Sequence, residues 1–230
     1  MNSRYILLLM MAAGAAWAQN AALPPSVRTT GEGTVSVKPD RAKVDIGVVT
    51  QAPTADAAGA QNAAQLQSVL TKLRGLLGQK ADIRTINYSL NPVYQYPKNG
   101  GKPTIEGYSA LNTVEVTSDD LPNIGKVIDT ATAGGANQIQ RLQFTLRDEK
   151  AARAEALRQA TLEARGNAEV MAGALGLKLG KVLLIEQSTA QPVRPMMLPM
   201  NAVHLAGAST PVEAEPIEIH ATVTLTVAVE

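Results

Sequence analysis

The chain has 230 residues, 21 basic and 20 acidic groups, no cysteine and only 3% aromatic residues. Near-neutral charge excludes the concentrated basic face that nucleic acid requires, and the missing thiols exclude disulfide staples and cysteine chemistry. The length suffices for a sizeable core without staples, and the composition makes that core aliphatic and alanine-rich.

The N-terminus reads as a targeting signal over residues 1–18. Arg4 supplies a positive n-region, an apolar run extends from Tyr5 to Ala16, and Ala16-Trp17-Ala18 is an A-x-A cleavage site. The run is shorter than the roughly 20 apolar residues of a bilayer span, and no later segment approaches that length. The expected product is an exported, periplasmic chain cleaved after Ala18, with no transmembrane segment left after cleavage. Removal of Arg4 leaves 20 basic groups against 20 acidic ones. Residues 19–26, with Pro24-Pro25, read as a flexible leader.

Two alternating strands follow, joined at Lys38-Pro39-Asp40-Arg41. Pro39 suits the second position of a tight turn. The pattern predicts a hairpin with Val37 facing Ala42, Val35 facing Val44, Gly33 facing Ile46 and Gly31 facing Val48. The glycines would leave room for whatever packs on that face.

Thr54 is the predicted N-cap of a first helix, with Ala55, Gly59, Ala63, Leu66, Leu70, Leu73 and Leu77 as its apolar stripe and Gly78 as its stop. A long hairpin comes next. Ile86, Tyr88, Leu90, Tyr94 and Tyr96 share one face of its first strand, and Asn91-Pro92 marks a bulge or an edge position. The return strand, Ile105 to Thr117, aligns Tyr108, Ala110, Val114 and Val116. Four of five tyrosines fall in this hairpin, which is predicted to hold most of the aromatic packing.

Asp119-Asp120-Leu-Pro122 opens a short helix with the stripe Leu121, Ile124, Ile128 and Ala131, ended by Gly134-Gly135. A strand from Gln138 to Arg147 leads to Asp148, the predicted cap of the longest helix. Its predicted stripe is Ala154, Leu157, Thr161, Ala164, Ala168, Met171 and Leu175, with Gly176 as terminator. Its charged side reads as a solvated face. Lys181 to Gln187 is a strand, and residues 188–214 form an irregular Met/Pro-rich loop. In the closing strand Ile217, Ile219, Ala221, Val223, Leu225, Val227 and Val229 point one way, with Glu218, His220, Thr222, Thr224 and Thr226 opposite. The order ββ-α-ββ-α-β-α-ββ defines an α+β fold of antiparallel β-hairpins with three helices packed on the sheets.

Chemical motifs are sparse. Gly31-x-Gly33 lies in a strand rather than between strand and helix, so it is not a phosphate loop. His204 and His220 have no serine in a nucleophile-elbow setting, and Glu213, Glu215 and Glu218 have no second carboxylate cluster to work against. No catalytic residue and no cofactor are assigned. The one candidate metal set is Met196, Met197, Met200 and His204, whose thioether and imidazole groups suit Cu(I); the competing reading is that these methionines pack against a sheet or a subunit.

In combination, Gly31-Glu-Gly-Thr-Val-Ser-Val-Lys-Pro-Asp40, Asn87-Tyr-Ser-Leu-Asn-Pro-Val-Tyr94, Gly107-Tyr-Ser-Ala-Leu-Asn-Thr-Val114, Gly134-Gly-Ala-Asn137 and Gly180-Lys-Val182 resemble the SIMPL-domain family. The resemblance covers residues 27–230 as a single domain, and extends to exported oxidative-stress-defence-like proteins and periplasmic immunogenic homologues in Brucella. It implies a non-enzymatic periplasmic protein linked to oxidative-stress tolerance, with self-assembly into a homo-oligomer or an envelope protein as partner, and no catalytic residues to carry over. Two alternatives stand beside it: a periplasmic soft-metal binder using the Met/His loop and, behind that, an uncharacterised hydrolase for which the residues supply no catalytic set.

Overall fold

The computed structural model describes residues 24–78, 81–98, 100–188 and 213–230. Seven strands and three helices follow one another as β1 (Ser26–Val37), β2 (Arg41–Ala52), α1 (Ala55–Leu77), β3 (Asp82–Gln95), β4 (Thr104–Ser118), α2 (Ile124–Gly134), β5 (Gln138–Thr145), α3 (Lys150–Ala174), β6 (Leu179–Ser188) and β7 (Ile217–Val229). The strands form two antiparallel sheets, β3-β4-β2-β5 and β1-β7-β6. The predicted α+β class and element order hold.

The predicted β1–β2 hairpin does not form. β1 pairs with β7, with Gly31 opposite Val223 and Val37 opposite Ile217, while β2 lies between β4 and β5 in the other sheet. A Pro-led type I turn has the wrong twist for a two-residue hairpin. Asp40 is used differently: its N–H donates to Thr145 O (3.3 Å) and its Oδ1 accepts from Arg147 N–H (2.8 Å). The segment is therefore a crossing between sheets, tied to the second crossing after β5. Arg41 supports the same junction through Asp119, at 2.7 Å from Nε to Oδ1.

The larger sheet buries Val44, Ile46, Val48, Val114 and Val116 against Leu66, Val69 and Leu73 of α1 and Ile124, Val127, Ile128 and Ala131 of α2. Each such side chain contributes roughly 1.5–3 kcal/mol of burial. Thr54 caps α1 as predicted, its side chain accepting from Ala57 N–H, and Gly78 ends it at φ 88°. Of the predicted stripe, Leu66 and Leu73 are buried and Leu70 and Leu77 pack partly buried against the core, while Ala58, Asn62 and Val69 take the other buried positions. Asn62 can be buried because its Nδ2 donates to the carbonyls of Val48 (2.8 Å) and Ala110 (3.1 Å).

The smaller sheet is covered by α3. Its buried stripe is Ala156, Ala160, Ala164, Ala168 and Ala172, against Ala221, Val223, Leu225 and Val227 of β7. Only Ala164 and Ala168 belong to the predicted stripe; Met171 and Leu175 lie outside the core. The reason is the closeness of β1. A Cβ added at Gly31 would fall on backbone atoms of Ala160 and Ala164, and one at Gly33 on those of Ala156 and Ala160. Only an all-alanine ridge fits at that separation, so the larger residues are turned aside. The predicted cap Asp148 sits one residue too early: Glu149 is the N-cap and makes no side-chain cap bond, while Asp148 Oδ1 accepts from Lys150 N–H at 2.8 Å. Gly176, at φ 71°, follows the last turn as predicted. No helix among the described residues is long and apolar enough to cross a membrane.

Candidate functional site

Three surface features are distinct enough to be weighed as sites. The first is a chain of polar groups on the outer face of the β1-β7-β6 sheet. The ladder sets Thr34 opposite His220, and Thr34 Oγ1 lies 2.9 Å from His220 Nδ1, with Glu218 Oε2 3.4 Å from Nε2. Hydroxyl, imidazole and carboxylate in sequence is the order of a nucleophile, base and orienting acid. Here, however, all three stand on an open sheet whose β1 and β7 residues are paired with each other. The contact ties β1 to β7. Sequence reasoning placed His220 on the polar face but could not supply Thr34, which comes from the far end of the chain.

The second is an ion network on the outer face of the four-stranded sheet. Asp45 and Glu115 are buried there. Arg141 Nε donates to Asp45 Oδ2 at 2.9 Å. Glu115 receives Arg84 (3.3 Å), Lys43 (3.5 Å) and Arg141 (3.7 Å). Arg84 also reaches Asp82 at 3.2 Å. Three cations answer three carboxylates, so the network is balanced internally and offers neither sign in excess. Among the described residues no group of three or more His, Cys, Asp or Glu side chains could hold a metal ion.

The third is apolar. Hairpin β3–β4 outruns β2: the β2–β4 ladder ends at Ala52 opposite Tyr108, while β3–β4 pairing continues through Val93–Gly107, Tyr94–Ile105 and Gln95–Thr104. Directly opposed residues share a face, so Tyr88, Leu90 and Tyr94 lie on the side that carries the helices, with Asn112, Ala110 and Ile105 opposite them. The predicted apolar face therefore exists, but its predicted packing role does not. Ile86, Tyr88, Leu90, Tyr94, Tyr96 and Ile105 are all 37% to 73% exposed. α1 lies over β2 and β4 and reaches only the start of this strip, where the Tyr88 hydroxyl lies beside Gly59; Tyr108 is partly covered, against Ala52, Ala58 and Ala110. A cavity of about 280 Å³ opens where β2 ends, lined by Gln51, Pro53, Glu106 and Tyr108 among others.

The remaining predicted residues divide cleanly. Gly31 and Gly33 serve helix packing. Glu213 and Glu215 precede β7 on an exposed segment, and Glu218 joins His220. Met196, Met197, Met200 and His204 lie outside the described residues, as does most of the 188–214 loop.

Relatives place the chain. It is 32% identical over 197 residues to a "26 kDa periplasmic immunogenic protein" of Brucella melitensis, covering 84% of this chain and 78% of that one. To the "Uncharacterized protein YggE" of Escherichia coli K12 it is 30% identical over 180 residues, 77% of this chain and 72% of the other. The family model described as "SIMPL: Protein of unknown function (DUF541)" matches residues 27–227. The chain belongs to the SIMPL family.

Proposed function

We propose that this is an exported, non-enzymatic periplasmic protein that contributes to oxidative and envelope stress defence through contacts with further copies of itself or with an envelope protein. The observation that carries this reading is the uncovered aromatic strip of hairpin β3–β4. At about 200 Å² per large side chain, its six exposed residues present roughly 600 Å². That equals the largest apolar patch of a typical monomer, and falls a little below the roughly 800 Å² each partner gives to a standard interface. Tyrosine suits such a role because it offers a rigid apolar body with a polar tip.

Compartment is supported by the signal-like N-terminus and by the periplasmic names of the Brucella relatives. A binding role is supported by the use of the ionisable groups described above: His220 ties two strands, and the Asp45–Glu115 network is satisfied by its own arginines and lysine. The test is complementation under peroxide challenge of a strain lacking this chain. Wild type restores growth, and the Tyr88→Ser/Tyr94→Ser/Tyr96→Ser variant, secreted and folded, does not. Full restoration by that variant would overturn the reading.

A further inference from the structure

We infer that the end of hairpin β3–β4 docks on an anionic phospholipid surface, with Lys98 and Lys102 on the phosphates and Tyr94, Tyr96 and Ile105 in the headgroup layer. The site adds a lipid partner to the protein contacts proposed above and does not depend on them. It leaves Tyr88 and Leu90, nearer α1, to a protein.

The hairpin overhangs the rest of its sheet. β2 stops at Ala52, opposite Tyr108, and β3 and β4 run on together as far as Gln95 and Thr104. From Gly107 to Thr104, at about 3.4 Å per residue, the ribbon projects roughly 13 Å before its turn. Gly100, at φ 76°, helps close that turn, its N–H donating to Pro97 O at 3.3 Å. The headgroup layer on each side of a bilayer is about 6 Å deep, so the overhang is longer than that layer is thick.

Charge and side-chain type are sorted along the overhang. From Thr85 to Ile105 the only charged residues are Lys98 and Lys102, both in the turn and both exposed. Among the described residues neither has an ion-pair partner. They are two of the 20 basic groups left after residues 1–18, and the other 18 face 20 acidic ones. The turn is therefore a positive end on a chain whose remaining charges carry a slight negative excess. Behind the lysines stand Tyr96, Ile105 and Tyr94, exposed by 73%, 52% and 48%. The first acidic group along β4, Glu106, lines the cavity where β2 ends.

Cation outermost, aromatic next and anion last is the order that an anionic bilayer favours. Lysine ammonium groups are drawn to lipid phosphates, and tyrosine rings settle at headgroup level with the hydroxyl toward water. A bilayer offers phosphate at every point of its surface, so two lysines on a narrow turn need no matching geometry.

Co-sedimentation of the chain from Gln19 with vesicles tests this. At low salt it is expected to bind vesicles of mixed phosphatidylcholine and phosphatidylglycerol, to ignore phosphatidylcholine alone, and to come off as salt is raised. Lys98→Gln/Lys102→Gln, which keeps every tyrosine, is expected to weaken binding about 25-fold, at about fivefold per lysine. The only tryptophan lies within residues 1–18, so Tyr96→Trp is a lone probe in the exported chain. Its emission is expected to shift to shorter wavelength on the mixed vesicles and to be quenched by brominated lipid. Circular dichroism checks that each variant is folded. Wild type that stays in the supernatant with the mixed vesicles, a lysine variant that binds as tightly, or a tryptophan whose emission does not move would each overturn the lipid site. The protein-contact reading falls on a different result, growth restored under peroxide by the triple tyrosine variant.

Discussion

The carboxamide of Asn137 acts as one more residue of a β-strand beside Val49. Its Nδ2 donates to Val49 O at 2.7 Å, and Val49 N–H donates to its Oδ1 at 2.8 Å. The β2–β5 ladder ends at Gly47 opposite Gln138, so Asn137 carries the pairing two residues further along β2 with a side chain. Replacing it with alanine leaves both backbone groups to solvent. The site is exposed, so Asn137→Ala is expected to cost about 1 kcal/mol, read by urea denaturation, with faster amide exchange at Val49.

Gly31 and Gly33 set the distance between β1 and α3. Because an added methyl meets helix backbone rather than a side-chain end, the neighbours cannot step aside without moving α3. Gly31→Ala and Gly33→Ala are each expected to destabilise by about 3 kcal/mol, at the top of the usual overpacking range. Thermal denaturation measures it. A change under 1 kcal/mol would mean that the helix sits further from the sheet than described.

Asp45 is buried with Arg141 as its hydrogen-bonded partner and a second oxygen, Oδ1, that finds none. Removing the cation strands the carboxylate, so Arg141→Ala is expected to cost about 2–3 kcal/mol, discounted because Arg141 is partly solvated. Asp45→Asn, which removes the charge and keeps the shape, should cost less. In the double variant the two penalties should not add.

Glu155 on α3 accepts from Arg158 (2.6 and 2.9 Å) and Gln159 (3.0 Å), and the Arg158 hydrogen bond holds its pKa down at about 2 instead of 4.5. A depressed carboxyl contributes stability above its unfolded pKa and loses it as pH falls through the folded value. That loss therefore falls between about pH 4.5 and pH 2. NMR titration should show Glu155 moving up toward the ordinary carboxylate range in Arg158→Ala.

What could be read from the sequence was what depends on near neighbours. Thr54 and Gly78 bound α1 as capping chemistry requires, and β7 alternates as written from Ile217 to Val229. What could not be read was pairing across the chain. Nothing near Val35 shows that its opposite residue is Ile219, and local turn chemistry pointed instead to Val44. Alanine also hides helix phase: with so little hydropathy contrast, the larger Leu157, Met171 and Leu175 dominate the pattern and mask the Ala156–Ala172 ridge. The tyrosines differ for another reason, because alternation identifies an apolar face and carries no information on what covers it.

Self-association of this chain is measured most directly in the ultracentrifuge. Sedimentation velocity of the exported form across a wide concentration range should show species heavier than the single chain, whose full-length mass is 24.1 kDa, and a smaller fraction of them after Tyr94→Ser/Tyr96→Ser. A lone monomer boundary at the highest concentration, unchanged by those substitutions, would contradict self-association and leave an envelope protein as the only protein partner of the strip.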